Sequence, residues 1–252
     1  MQPQRLQQTS LCFLFVLTFA CSALFADSPT TLRNDDSCDI SVAPAATLLL
    51  PYFEVDLQNP AGETTLFTIT NVGALPQVAR VTIWTDRSFP VFTFNLFLTG
   101  YDVHSVNLYD LLALGRIANP GSSDSGVGLR SADNDLQPML ELDGCDHLPD
   151  RVPLHVLSNL RDTLTQGRIR ACANTRVGDL HQNAIGYATI DLVGTCNTTM
   201  PVDPGYFSTE IRYDNVLIGD YAQVSSARGT AQGNTLVHIR AIPEGGLSTS
   251  AA

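Results

Sequence analysis

The chain has 252 residues, of which 44% are hydrophobic and 15% are charged, with 25 acidic residues against 14 arginines and no lysine. This apolar content is too high for a disordered chain, and 18 glycines are too few for a collagen. The formal net charge of −11 argues against a nucleic-acid partner, and the lack of lysine excludes lysine phosphate loops and lysine Schiff bases.

The first predicted element is a secretory signal peptide. Arg5 precedes an uncharged apolar run over residues 11–20, and small residues follow this run. A basic start, a short apolar segment and small residues are the parts of a signal peptide, which we predict to span residues 1–26. No later run is long enough to cross a membrane, so the mature chain is predicted to have no transmembrane segment.

The processing of this segment has alternatives. Cleavage after Ala26 is the first choice, and cleavage after Ala23 is the second. Lipid attachment at Cys21 and a retained membrane anchor are weaker alternatives. Each cleavage alternative predicts an exported protein that works in the periplasm, on the outer surface or outside the cell.

Three segments of the first half alternate with the period of a β-strand: residues 63–71, 78–86 and 92–98. Successive side chains of a strand point to opposite faces, so a half-buried strand has an apolar residue at every second position. In the first of these segments, Phe67 and Ile69 share a face whose opposite face carries threonines. Turn residues separate the segments, and no helical pattern lies between them.

The middle of the chain has a different pattern. Residues 119–137 are rich in Gly, Ser, Asp and Asn without periodicity, which predicts a long surface loop. Residues 153–166 have leucines at helical spacing, with Pro153 suited to the first turn and Gly167 to the C-terminal cap. We therefore predict an insertion over about residues 116–182 that contains one short amphipathic helix.

The strand pattern returns late in the chain, over residues 184–193, 206–213, 216–224 and 235–242. Many short strands with one intervening helix favour antiparallel sheets, because parallel strands need a crossover after nearly every strand. The prediction is an all-β, immunoglobulin-like antiparallel β-sandwich with one short inserted helix and a long loop. We predict that residues 27–246 form a single domain and that residues 247–252 form a flexible tail.

Four cysteines follow the predicted signal peptide, and an even number outside the cytoplasm favours two disulfides. We favour Cys145 with Cys172, because they bracket the predicted helix, which leaves Cys38 with Cys196. Sequence alone does not choose among the three possible pairings. A zinc site is the weaker alternative, because none of these cysteines has the two-residue spacing of typical zinc ligands.

His104 is the first candidate for chemistry. Asp102, His104, Val106 and Leu108 would share one face of a strand, and Asp110 follows nearby. This arrangement suits a histidine oriented for acid–base work or metal binding. A core or edge histidine bonded to a neighbouring carboxylate explains the same pattern, and no nucleophile lies nearby in sequence to complete a triad.

Carboxylates that include Asp133, Asp135 and Asp143 concentrate in and after the predicted loop. Oxygen ligands on a loop suit calcium, but Gln137 and Pro138 break the spacing of the helix-loop-helix calcium motif. We therefore predict a solvated acidic loop, with no metal and no other cofactor bound.

Four aromatic residues are candidates for a sugar-stacking platform: Trp84, Tyr101, Tyr52 and Tyr109. Aromatic side chains on strands are also common as core residues or cross-strand pairs. A ligand-binding role therefore requires that Trp84 or Tyr101 face solvent.

Several segments carry a resemblance to known sequences. They are "SCDISVAPAATLLLPYFEVDL", "TTLFTITN", "VTIWTDRSFPVFTFNLFLTGYDVHSVNLYDLL", "NAIGYATIDLV", "DNVLIGDYAQV" and "VHIRAIPEGG". Together they resemble a group of uncharacterised secreted bacterial proteins over most of Ser37 to Gly246. The resemblance implies a β-rich exported protein whose relatives continue beyond the equivalent of "IPEGG", and it implies no activity, ligand or catalytic residue.

The sequence thus favours a secreted, non-enzymatic protein that acts through surface contacts in an envelope, matrix or adhesion-type role. Its partner would be a protein or glycan surface. A carbohydrate or small-ligand binding module is the first alternative, and a secreted hydrolase that uses His104 is the second.

Overall fold

The computed structural model describes residues 43–117, 148, 150–169 and 175–241. The chain divides into the units Met1–Ser41 and Val42–Ala252, and every described residue belongs to the second unit. Several sequence predictions therefore lie outside the described residues: the signal peptide, the loop over 119–137, the tail, Cys38, Cys145, Cys172, Asp133, Asp135 and Asp143.

The described residues form strands joined mostly by short turns. The strands are β1 (Thr47–Val55), β2 (Glu63–Asn71), β3 (Gln77–Thr85), β4 (Pro90–Leu98), β5 (Val103–Asn107), β6 (Arg168–Ile169), β7 (Thr175–Arg176), β8 (Ala184–Val193), β9 (Leu217–Ser225), β10 (Thr230–Thr235) and β11 (Val237–Ile239). The helical elements are α1 (Leu108–Leu114), α2 (Leu154–Gln166) and a π-helical turn (Tyr206–Glu210).

Two antiparallel sheets dominate the fold. The first sheet has the order β11-β1-β8-β3-β4, and the second has the order β10-β9-β2-β5. Strands β6 and β7 form a small separate hairpin. The mainly β class and the antiparallel, sandwich-like arrangement are confirmed, whereas the immunoglobulin-like detail stays a prediction.

The core lies between the sheets. Strand β1 packs over β2 and β9, and α2 packs on β4 and β8. The inward side chains of both sheets are fully or almost fully buried, among them Leu48, Phe53, Phe67, Ile69, Val81, Ile83, Leu96, Ile190 and Leu217. Each such aliphatic or aromatic side chain contributes about 1.5–3 kcal/mol when it leaves water.

Helix α2 begins and ends as its leucine spacing predicts. Leu157, Leu160 and Leu164 are buried, and Gly167 takes the left-handed conformation at the C-terminal cap, with φ of +63°. Leu154, in the first turn, is 84% exposed and does not contribute to this apolar face.

The predicted strand over residues 206–213 is wrong. The structure has a π-helical turn over Tyr206–Glu210, preceded by Gly205 at φ of +86°. The hydroxyls of Ser208 and Thr209 donate to the carbonyl of Gly205 at 3.0 and 2.8 Å. These local bonds give the backbone an alternative to pairing in a sheet.

Two other boundaries differ from the predictions. Leu108 begins α1 rather than ending a strand, because the Asn107 side chain accepts from the backbone N–H of Tyr109 and caps the helix. The segment predicted as a strand over 235–242 holds the end of β10 and all of β11, with a break at Leu236.

Candidate surface site

Two adjoining turns carry three exposed apolar side chains. Leu75 lies in the turn between β2 and β3 and is 46% exposed; Tyr101, in the turn between β4 and β5, is 72% exposed, and Val103, which begins β5, is 61% exposed. We call these three residues the tyrosine tip. Contiguous exposed apolar patches mark contact surfaces, and these three side chains lie on turns that adjoin one another.

A buried asparagine ties the two turns together. Asn71, at the end of β2, is completely buried. Its Nδ2 donates to the carbonyls of Leu75 at 2.8 Å and Thr99 at 2.9 Å, and its Oδ1 accepts from the N–H of Gly73 at 2.9 Å. The N–H of Tyr101 donates to the carbonyl of Gly73 at 3.0 Å. These hydrogen bonds link the two turns and fix the backbone that carries the tyrosine tip.

Tyr101 has an unusual backbone conformation. Its φ is +59°, in the left-handed region that bulky residues rarely adopt. The preceding Gly100 lies so close to the other turn that an added Cβ would come within 2.1 Å of the Ala74 carbonyl oxygen. The Asp102 carboxylate then accepts from the N–H of Thr99 at 3.1 Å. These contacts hold Tyr101 in the left-handed conformation while its ring faces solvent.

His104 lies in the core rather than at a surface site. It is 8% exposed, and in the pairing of β2 with β5 it lies opposite Ile69. Val106, on the same strand face, is 4% exposed. Asp102 caps the preceding turn, and Asp110 lies in the first turn of α1. This placement favours the interpretation of His104 as a core histidine.

The structure separates the four candidate aromatics. Trp84 is only 9% exposed, stacks on Tyr187 with ring centroids 5.7 Å apart, and donates its Nε1–H to Thr189 at 3.0 Å. It lies near the end of β3, whereas Tyr101 follows the end of the antiparallel β4, so the two residues lie at opposite ends of the sheet.

The other two aromatics have separate environments. The Tyr52 hydroxyl, on β1, donates to the Glu54 carboxylate at 2.8 Å. Partial burial and this carboxylate raise the pKa of Tyr52 to about 12. Tyr109, in α1, packs partly buried against the core. Of the four candidates, Tyr101 is the one whose ring is mostly in solvent.

Sequence reasoning missed a buried polar network on the outer face of the first sheet. Arg80, on β3, is completely buried. Its Nε donates to Asn95 Oδ1 at 3.0 Å, and one terminal nitrogen donates to the carbonyls of Thr195 at 3.0 Å and Asn197 at 3.1 Å. The other terminal nitrogen pairs with Glu210 at 3.3 Å. Arg80 therefore binds the segment 195–210 to the sheet.

Tyr206 extends this network to the neighbouring strands. Its ring centroid lies 5.7 Å from the Arg80 guanidinium carbon, and its hydroxyl donates to Asp191 at 2.8 Å. Asp191 also accepts from the hydroxyl of Thr47 at 2.7 Å. Burial raises the pKa of Asp191, although the hydrogen bonds and the Arg80 charge oppose this shift.

Glu210 is the acidic partner of Arg80 and lies at the end of the segment 195–210. Burial by itself would raise its pKa, but hydrogen bonds from Thr195 and Asn197, together with the Arg80 charge, lower it below the usual range. The alternation over residues 78–86 predicts a strand with one buried face. The structure corrects this, because every residue of β3 is buried on both faces.

A second group of charges lies at the turn between β3 and β4. Asp86 accepts from the Asp179 N–H at 3.1 Å and lies 2.9 Å from His181 Nε2. Arg87 and Arg176 both donate to the Asp179 carboxylate, at 2.6 and 2.8 Å, and these hydrogen bonds lower the pKa of Asp179. These exposed pairs link the hairpin to β7 and contribute little stability each.

Within the described ranges, no group of three or more His, Cys, Asp and Glu side chains is placed to hold a metal ion. The part of the chain that the structure describes also has no helix long and apolar enough to cross a membrane. Cys196 is the one predicted disulfide cysteine among the described residues, and it is buried beside Val78, Phe97 and Val193. Both predicted disulfide pairings stay predictions.

No protein family model matches the chain, and no curated protein or solved structure matches it. The resemblance to secreted bacterial proteins therefore stays a prediction.

Proposed function

We propose that this protein is a secreted, non-enzymatic β-sandwich that acts through surface contacts, with the tyrosine tip as its contact surface. The observation that carries the proposal is the conformation of Tyr101: the ring is 72% exposed while the backbone has φ of +59°. Export and the disulfides belong to the same proposal and are supported by the apolar N-terminal segment and by four cysteines after it.

The conformation of Tyr101 supports a contact role because the fold gains little from this side chain. A left-handed backbone position is best filled by glycine, and a residue with a Cβ costs about 1–2 kcal/mol there. A ring in solvent contributes little core packing to offset that cost. Strained residues held by surrounding structure cluster at functional sites, which favours retention of Tyr101 for a contact.

A carbohydrate or small-ligand binding module is the second candidate. The exposed ring of Tyr101 supports it, since sugars stack on aromatic faces. The burial of Trp84 weakens it, because the residue best suited to a stacking platform is 9% exposed. No observation on His104 favours the hydrolase alternative over these two.

A photo-crosslinking amino acid placed at position 101 tests the proposal in the culture that produces the protein. Position 180 is the matched control, because Leu180 is 71% exposed against 72% for Tyr101 and lies beside Asp179, at the other end of the first sheet. We expect a discrete crosslinked product at position 101 and none at position 180. No product at 101, or the same product at both positions, would contradict the proposal.

A further inference from the structure

We infer that the partner of the tyrosine tip is a protein segment that carries positive charge. This inference rests on the proposed function, because it names the class of partner for the same surface. Three features of the described residues and of the composition lead to it: the charge of the chain, the aliphatic residues of the tip and the chemistry of an exposed tyrosine ring next to Asp102.

The charge of the chain disfavours a second copy as the partner. Its formal net charge is −11, and all its cations are arginine. Two copies would repel one another, whereas a basic surface would be attracted and its approach accelerated. Charge complementarity therefore favours a cationic partner over self-association.

The neighbours of Tyr101 favour a protein over a glycan. Leu75 and Val103 are 46% and 61% exposed, and both are aliphatic. Sugar rings stack on flat aromatic faces, but Tyr101 is the one aromatic residue of the tip. An exposed tyrosine together with other apolar side chains is instead typical of the apolar core of a protein interface.

The tyrosine ring and the adjacent Asp102 favour an arginine or lysine on that protein. A cation over a tyrosine face is attracted by the ring quadrupole, as the Arg80 and Tyr206 pair shows within this chain at 5.7 Å. Asp102 follows Tyr101 directly. The Asp214 carboxylate, two residues before Val216, is paired with Arg212 at 3.3 Å, so Asp102 is the acidic residue of the chain segment that carries Tyr101.

Selection of peptides on the purified protein tests this inference. The probe is a display library of random 12-residue peptides, selected on the wild type alone. We expect the enriched peptides to be rich in arginine or lysine, to bind Y101A about tenfold more weakly, and to bind the matched control L180A like the wild type. Replacement of their arginines by citrulline should abolish binding, and raised salt should weaken it.

Other outcomes would overturn the inference. Enriched peptides that are neutral or acidic, equal binding to Y101A, or no enrichment would each contradict it, as would binding of neutral oligosaccharides at Tyr101. The proposed function fails separately, if position 101 gives no crosslinked product in the native culture. A product at 101 with a partner whose contact surface is acidic would retain the proposed function and refute this inference.

Discussion

Tyr101 and Ser88 are the described residues other than glycine that have positive φ, and both values are +59°. Glycine removes the steric cost of about 1–2 kcal/mol at such a position. It also increases the conformational entropy of the unfolded chain, which lowers the free energy of unfolding by about 0.4–1 kcal/mol. We therefore expect Y101G to raise the free energy of unfolding by about 0.5–1 kcal/mol, measured by urea denaturation.

S88G is the control for this prediction, since Ser88 has the same φ without an aromatic ring. We expect a similar gain in stability from S88G and unchanged binding of peptides or partner, whereas Y101G gains stability and loses binding. A Y101G protein that is less stable than the wild type would show that the ring stabilises the fold. The proposed contact role of Tyr101 would then lose its main support.

The two carboxylates of the Arg80 network, the buried Asp191 and the partly buried Glu210, predict opposite pH dependences. Because the fold raises the pKa of Asp191, its contribution to stability is present below the unfolded pKa of about 4 and is lost as pH rises through the folded pKa. The pKa of Glu210 is lowered, so its contribution is present above about 4.3 and is lost as pH falls through the folded pKa.

Denaturation across pH compares these groups directly. We expect D191N to gain stability relative to the wild type as pH rises from about 4 to 7, and E210Q to gain as pH falls below about 4. Parallel pH profiles for the two variants would contradict the opposite directions of the two pKa shifts.

At the scale of elements, Asn71 determines how the turns of the tip meet. N71A removes the donor to two carbonyls and the acceptor for one N–H, and an unpaired buried polar group costs about 1–3 kcal/mol. We expect a loss of stability in that range and faster hydrogen exchange in both turns. N59A is the control, because Asn59 accepts one exposed bond and should cost well under 1 kcal/mol.

Arg80 has the same role for the segment 195–210. R80M leaves buried carbonyls and Glu210 without their donor, so we expect a loss of about 3–5 kcal/mol and early proteolysis within that segment. R87M is the control, because the Arg87 and Asp179 pair is exposed and should contribute less than about 1 kcal/mol. Equal effects of the two substitutions would refute the anchoring role of Arg80.

Strand predictions succeed where apolar residues recur at every second position of the sequence. β2 and β8 have the predicted bounds because their apolar residues alternate, and burial follows that alternation over most of each strand. The predictions fail at the turn over Tyr206–Glu210 and at α1, where side chains bond to nearby backbone. Such local hydrogen bonds produce no periodic pattern of apolar residues in the sequence.

At the scale of the whole molecule, strand alternation and the single strong helical pattern were sufficient for the β-sandwich class. The covered outer face of the first sheet was not predictable in the same way. In the sequence Arg80 resembles an ordinary polar residue on the solvent-exposed face of a strand. Apart from Asn95, its hydrogen-bond partners lie more than a hundred positions later, as the bond to Thr195 shows. Only the folded chain brings these residues together.

The tip was partly predictable. Tyr101 was a candidate as one of four aromatic residues for a sugar-stacking platform, but its positive φ and the Asn71 bonds depend on two turns meeting. The sequence gives no local sign that Leu75 and Val103 would join it. Contact surfaces built from separate turns are therefore visible only in the fold.

Hydrogen–deuterium exchange of the protein with and without its crosslinked partner tests the contact surface most directly. We expect slower exchange in the turns over residues 72–76 and 99–103 when the partner is bound, with little change in the outer strand β10 and the hairpin turn at Asp86. Protection confined to another surface, or no protection of these two turns, would contradict the claim that the protein acts through the tyrosine tip.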